Sequence, residues 1–466
     1  MASPTPTPAF GRGPLETTGR NLMNPHDDGT IQMGFWVPNR VYATVMHVYP
    51  LRDEIASLKK QNELPSLHPV VQTFKTWVEA NSIYRMWINS MITQANDYVL
   101  TCGLENDIQI LRDGDGLWIP DFDWFFDALS LIIQTSPSFN TTVQVGTPMN
   151  AFLAVGMGTP AGAALFHDAA FNTQFKTVLD AWNAYLKSPA SLEKLDISDP
   201  EKRGSWISKA AFDAGVWSEM QHDPHKPGYG FASWNAFFIR PFADNARPFA
   251  DNARPFADNA RPFHGDAAHV VNLGCESTPW SYLDDVSAAD AHFWVKDVQY
   301  SLPDLFGGRQ DMAGLFDGGH VYQGFLSATH YHRWVERACR GPGKGENTGT
   351  WEGTQSQPYL GHVATRAIFL FEHPTVGFVA MICIGMVEVS TCAIAEAYNT
   401  QGKVAPVAIR RGDEIGHFEF GGSTHIMVFQ RGKVRLAEWA VRAKEHQSDP
   451  QPVAMGSVIA TAIDAA

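Results

Sequence analysis

Gly412-Asp413-Glu414-Ile415-Gly416-His417-Phe418-Glu419-Phe420-Gly421-Gly422-Ser423-Thr424 is the stretch on which the fold turns. An alternating segment runs into two glycines and a serine, and an apolar run, His425 to Phe429, follows. Alternation and a short apolar run are both strand signals. The glycines lift the Cβ restraint on the backbone between them. A serine hydroxyl there can approach the carbonyl of the residue before it, the geometry in which a peptide bond is attacked from within its own chain. Taken alone, the same residues also describe a Gly-Gly-Ser turn between strands.

Outward from this point the second half of the chain reads as β-rich. Short apolar runs with turn signals span His269 to Leu273, Val321 to Thr329, Ala367 to Phe371 and Val376 to Ile384. His373-Pro374-Thr375 joins two of them as a hairpin, and Arg431-Gly432 marks another turn. From about 38 to 220 the period is helical instead. Val70, Phe74, Trp77, Tyr84, Ile88 and Met91 recur at helical spacings, as do Phe171, Phe175, Val178, Trp182 and Tyr185; Asp123 to Ile133 is a third candidate. Such aromatic stripes are core-forming faces first, although tryptophan-rich helices can also roof a pocket. The expected class is α+β, an α-helical N-terminal region followed by a β-rich catalytic domain. The expected boundaries are a disordered tail over 1–35, a helical domain over 36–227, a lead-in and linker over 228–267, and the catalytic domain over 268–466.

The linker has an unusual composition. Arg-Pro-Phe-Ala-Asp-Asn-Ala occurs in tandem at 240–246, 247–253 and 254–260, and an altered copy starts at Arg261-Pro262-Phe263. Regularly spaced prolines cannot continue a helix, and the unit is too short for a solenoid. It reads as a duplicated surface loop. Asp113-Gly114-Asp115-Gly116 begins like a calcium loop, but Leu117 and Trp124 stand where oxygen ligands are required, so it reads as a turn.

The totals exclude several classes. With 466 residues, 44% hydrophobic content and a formal charge of −14, the chain can build a large core and lacks the basic surface that non-specific nucleic-acid binding needs. Five scattered cysteines without a CxxC pair fit a reducing, cytoplasmic compartment. The start carries no basic-then-apolar signal. The most apolar stretch, Ala367 to Val389, is interrupted by Glu372-His373-Pro374, so no integral membrane segment is expected.

Several pieces together resemble one family. Phe420-Gly421-Gly422-Ser423-Thr424 is similar to the processing site of the pyruvoyl-dependent phosphatidylserine decarboxylases, and closer to their soluble tryptophan-decarboxylating relatives. Phe237-Phe238-Ile239-Arg240 resembles the lead-in to their catalytic domain, and Tyr331-His332-Arg333 resembles their Tyr-His-Arg motif. The resemblance implies a phosphatidylserine-decarboxylase-like catalytic domain and self-cleavage between Gly422 and Ser423. It also implies a pyruvoyl cofactor derived from Ser423 and a small, tryptophan-like amino-acid substrate. It implies that His332 serves the decarboxylation step, where a positioned imidazole can return a proton. The second processing histidine of the family falls at Val335, which cannot accept a proton. His330 and His417 are the possible substitute bases. Glu276, in the Cys-Glu-Ser that the tryptophan-decarboxylating relatives share, is the candidate acidic orienter. Arg366 matches a family arginine that could bind a substrate carboxylate, with His362 in place of an asparagine before it. Gly385 to Thr391 matches a strand wall.

Three alternatives stand beside this reading. One is a phosphatidylserine decarboxylase of phospholipid synthesis. Another is a family member that has lost cleavage through Val335. The third is a cupin-like metal site built on Gly324, His330, His332 and Glu336, whose second half is missing from the sequence.

Overall fold

The computed structural model describes residues 41–101, 119–139, 148–157, 159–217, 219–243, 261–288, 293–295, 298–326, 330–335, 342–347, 365–385, 391–399, 407–409, 411–421, 423–445 and 451–463. The expected tail at 1–35, the acidic turn at 113–116 and repeat positions 244–260 lie outside the described residues.

The N-terminal region is helical: α1 (Val41–Gln61), α2 (Pro69–Glu79), α3 (Ser82–Thr101), α4 (Phe122–Ile132), α5 (Pro148–Met157), α6 (Pro160–His167) and α7 (Ala169–Leu186), then the short α8 (Lys209–Asp213) and α9 (Trp234–Phe238). The stripe from Val70 to Met91 is divided between α2 and α3. Ala80 caps α2, and its N–H bonds back to the Thr76 carbonyl at 3.0 Å. Helix starts carry side-chain caps: the Asp121 carboxylate accepts from the Trp124 N–H at 2.7 Å, and Asp168 accepts from Phe171 at 2.8 Å. Phe74 of α2 sits among Phe126, Phe171 and Phe175, with ring centroids 5.5–5.9 Å apart. The aromatic stripes are therefore core, as their spacing predicted.

The strands follow as β1 (Val270–Asn272), β2 (Thr278–Val286), β3 (Phe293–Val295) and β4 (Val298–Tyr300), interrupted by α10 (Leu302–Leu305) and α11 (Gln310–Gly314). Next come β5 (Gly319–Leu326), β6 (Arg333–Val335), β7 (Pro342–Asn347), β8 (Arg366–His373), β9 (Gly377–Gly385), β10 (Cys392–Ile394) and β11 (Val407–Ala408). The last are β12 (Glu414–Phe418), β13 (Ser423–Phe429), β14 (Val434–Leu436), α12 (Glu438–Val441) and β15 (Val458–Ala462). The main sheet has seven strands in the order β11-β7-β8-β9-β13-β5-β2. Its described pairings are antiparallel. Side sheets run β10-β12-β6 and β1-β15-β14.

β13 lies inside this sheet and pairs along its whole length with β5 and β9. All seven of its residues are buried, which is why the segment reads as an apolar run and not an alternating one. One face carries Tyr322, Ala367, Phe369, Met381, Cys383 and Met427. The other packs Ile368, Ala380, Ile382, Ile426 and Val428 against α10 and α11. The predicted hairpin joins β8 to β9: the His373 Nδ1 accepts the N–H groups of Thr375 and Val376, each at 3.1 Å. β9 stops at Gly385, and the expected wall at 386–390 lies outside the described residues.

The two regions are joined at Phe420. Its ring lies in the helical core, edge-on to Trp234 at 4.7 Å, Trp182 at 5.2 Å and Phe238 at 5.8 Å. The neighbouring Glu419 pairs with Lys187 at 2.8 Å. The buried ring outweighs the partly exposed ion pair, because burying a phenyl group stabilises by several times more than a surface bridge. Phe420→Ala should therefore lower the unfolding free energy by about 3–5 kcal/mol. Denaturant unfolding followed by tryptophan fluorescence measures this, and a loss under about 1 kcal/mol would contradict the packing role.

Candidate active site

Ser423 opens β13 with Leu326 opposite on β5 and Gly385 on β9. It is 1% exposed, and its hydroxyl donates to the Gly421 carbonyl at 3.1 Å. Gly421 adopts φ 147°, a conformation that a side chain would resist. Phe420, Gly421 and the strand start thus hold the hydroxyl folded back on its own upstream backbone. Gly422 lies outside the described residues. Thr424 faces the opposite side of the sheet, where its hydroxyl donates to the Gly324 carbonyl at 2.7 Å.

His330 and His332 precede β6 and do not lie within it; the strand starts at Arg333. The His332 carbonyl accepts the Phe418 N–H at 2.9 Å, which ties the motif to the end of β12. Its ring packs on Phe238, centroids 4.0 Å apart, and its Nδ1 is buried without a hydrogen-bond partner. Burial first, then Arg240 and His330, hold its imidazole well below the usual range. His330 is lowered to about 4 by burial, with Glu276 opposing the drop and Arg261 and Arg240 adding to it.

A charged cluster therefore surrounds the two histidines. Arg261 bonds Glu276 through its Nε and Glu219 through its Nη1, the latter at 2.6 Å. Its guanidinium stacks over Phe242 at 4.8 Å, and Phe242 stacks on Tyr331 at 4.1 Å. Arg240 is buried and donates to the Val216 carbonyl at 3.2 Å; burial lowers its pKa to about 10 against the pull of Glu276. Glu276 thus lies near enough to act on the charge of His330, and it bonds Arg261 and bears on Arg240. The signal was present: these arginines open the first and the altered fourth copies of the repeat. Periodicity could not tell them from the copies between.

Other expected site residues fall elsewhere. Arg366, expected to meet a substrate carboxylate, donates to the α10 carbonyls of Asp304 and Leu305 at 2.8 and 3.3 Å. Its pairing with Ile384, which in turn pairs with Thr424, puts it on the sheet face opposite Ser423. That is a correction: its described donors fasten α10 to the sheet. His417 lies on β12 opposite Arg333 and Ala393. Burial lowers it to about 4, with Arg333 and Lys187 adding and Glu419 opposing. Val335 ends β6 opposite Glu414. Glu336 and His362 lie outside the described residues. Among the described residues no group of three or more His, Cys, Asp or Glu side chains is arranged to hold a metal ion. No described helix is long and apolar enough to cross a membrane.

A helical region is locked to an antiparallel sheet, and a buried serine opens one of that sheet's inner strands. Sequence profiles of phosphatidylserine decarboxylase match residues 68–214 and 234–461. The chain belongs to the phosphatidylserine decarboxylase family and is a carboxy-lyase. It is 33% identical to decarboxylase iboD of Amanita muscaria over 61% of this chain and 84% of the relative. It is 26% identical to an L-tryptophan decarboxylase of Psilocybe cubensis over 77% and 89% of the two chains. It is 28% identical to a phosphatidylserine decarboxylase proenzyme of Klebsiella pneumoniae over 57% and 84%.

The buried histidines make a pH prediction. His330 and His417 titrate at about 4 and His425 at about 3 in the native chain, against an ordinary 6.5 when unfolded. Below pH 6.5 the unfolded chain binds protons that the native chain refuses, so acid favours unfolding. Stability should be complete above about pH 6.5 and fall as pH drops towards 4. Melting temperatures measured across that window should decline in acid, less steeply in His330→Gln; a curve level down to pH 4 would refute this.

Proposed function

We propose that the chain cleaves itself at Gly422-Ser423 and uses the resulting pyruvoyl group to decarboxylate an aromatic, tryptophan-like L-amino acid. The observation that carries this reading is the Ser423 hydroxyl, buried at the start of β13 and turned back on its upstream backbone. The residues present fit such a group. The position is buried, and a glycine-permissive backbone precedes it. Bound there, the group supplies an electron-withdrawing carbonyl that accepts the electron pair left when CO2 departs.

The chain's own residues supply the rest. His332 is neutral in the unliganded chain because burial and Arg240 oppose its charge. A substrate carboxylate entering beside it adds the missing counter-charge and raises its proton affinity. His332 then holds the proton that the substrate carbon needs after CO2 leaves. The Phe238 ring against His332, with Trp234 and Phe420 behind it, supports a flat aromatic substrate side chain. The relatives named for tryptophan point the same way. Val335 supports a second reading, a chain that stays whole, and the same experiment separates the two.

Intact mass under denaturing conditions should show two chains, the smaller spanning 423–466 with a blocked amino terminus, and CO2 released from tryptophan. Ser423→Ala should remain one chain and release none. A wild-type chain that stays whole and ignores hydrazines would overturn the proposal. In the cleaved enzyme His332→Ala should lower kcat by roughly 100-fold or more while leaving cleavage intact. An unchanged kcat removes His332 from the reaction.

A further inference from the structure

His425 is the one histidine on the strand that Ser423 opens. It stands two residues on, so its side chain shares the serine's face of β13. It is 0% exposed, and neither ring nitrogen has a hydrogen-bond partner. The Ser277 hydroxyl and the Tyr322 hydroxyl are likewise buried without a partner. A buried polar atom left unpaired costs stability, so a native chain that retains four together needs a reason for them.

Gly324 shows how closely these groups gather. It lies directly opposite His425 on β5. A Cβ there would come within 2.4 Å of the Ser277 Oγ and 2.6 Å of the His425 Cε1. The glycine is thus what leaves room for the imidazole and the hydroxyl side by side. Tyr322, two residues back on β5, has its ring 6.0 Å from that of His425. Same-face neighbours on a strand stand about 7 Å apart, a span that an imidazole and one water cover.

We propose that His425, set beside Ser277 and Tyr322, is the base that takes the Ser423 hydroxyl proton when the chain cuts itself. The inference rests on the self-cleavage proposed above. Ser423 Oγ bonds to the carbonyl carbon of the preceding peptide. Its proton passes to a ring nitrogen of His425, and from there to the Ser423 amide nitrogen as the carbon–nitrogen bond breaks. The products are an ester and a free amine; the step is an isomerisation and needs no other reactant. Position favours His425 over His330, because it stands on the serine's own strand and face, two residues on.

The test follows cleavage of freshly translated full-length chain by intact mass, in the wild type, His425→Ala, His425→Gln and His330→Gln. His425→Ala and His425→Gln should cleave at least 100-fold more slowly with native circular dichroism. Added imidazole should restore His425→Ala, because it can enter the space the side chain leaves. A loss of cleavage in His330→Gln as large as that in His425→Ala would overturn the assignment. If His425→Ala misfolds, His425→Gln, which keeps the volume, decides by its rate. Wild-type rates in folded His425 variants, or slowing in His425→Ala that imidazole does not relieve, overturn the assignment while leaving self-cleavage standing. A wild-type chain that never cleaves overturns both.

Discussion

The structure depends on one ring in one cluster. Phe420 belongs in sequence to the β-rich half and in space to the helical core, between Trp182, Trp234 and Phe238. An aromatic ring buried on all sides is among the most stabilising contacts a chain can make. Here it fixes the residue three places before Ser423. The helical region is therefore more than an appendage. It holds the upstream end of the Gly-Gly-Ser junction while the sheet holds the downstream end.

That two-sided grip fixes the junction in register. β13 cannot slide, because Ser423 to Phe429 pair with neighbours on both sides. A register slip of one residue would turn Ser423 and His425 to the opposite face. Phe420 cannot withdraw without exposing its ring. Between these fixed points lies Gly421, at a φ of 147° that a side chain would resist.

The sequence made the helical and strand halves legible, since both periods are strong over long stretches. Strand limits were less so: β13 begins at Ser423 and not at His425, because a polar residue buried at a strand end looks like a turn residue. Ser423, His332 and Glu276 could be singled out by motif. What motif could not supply was the direction of each side chain. Arg366 is one residue out of phase with the serine's face, and this parity appears only once the strands are paired. Arg240 and Arg261 meet at Glu276 across a gap in sequence that no local pattern spans. His425 read simply as a member of an apolar run, since burial hides a polar residue among its neighbours.

The repeat becomes intelligible from the same cluster. The two arginines that bound it, Arg240 and Arg261, bear on Glu276 and on His330. Phe242, on the near side, lies under the Arg261 guanidinium on the far side. The two ends of the duplicated segment are therefore fastened to each other and to the site. With the ends fixed, lengthening the loop costs only its closure entropy, about 0.6 kcal/mol for each doubling. Duplication of the unit also regenerates an Arg-Pro-Phe at each new boundary, so the copy that docks always carries the guanidinium and ring that the cluster needs. Losing the docked Arg261 would leave Glu276 without its hydrogen-bonded partner, which is far more costly than a longer loop.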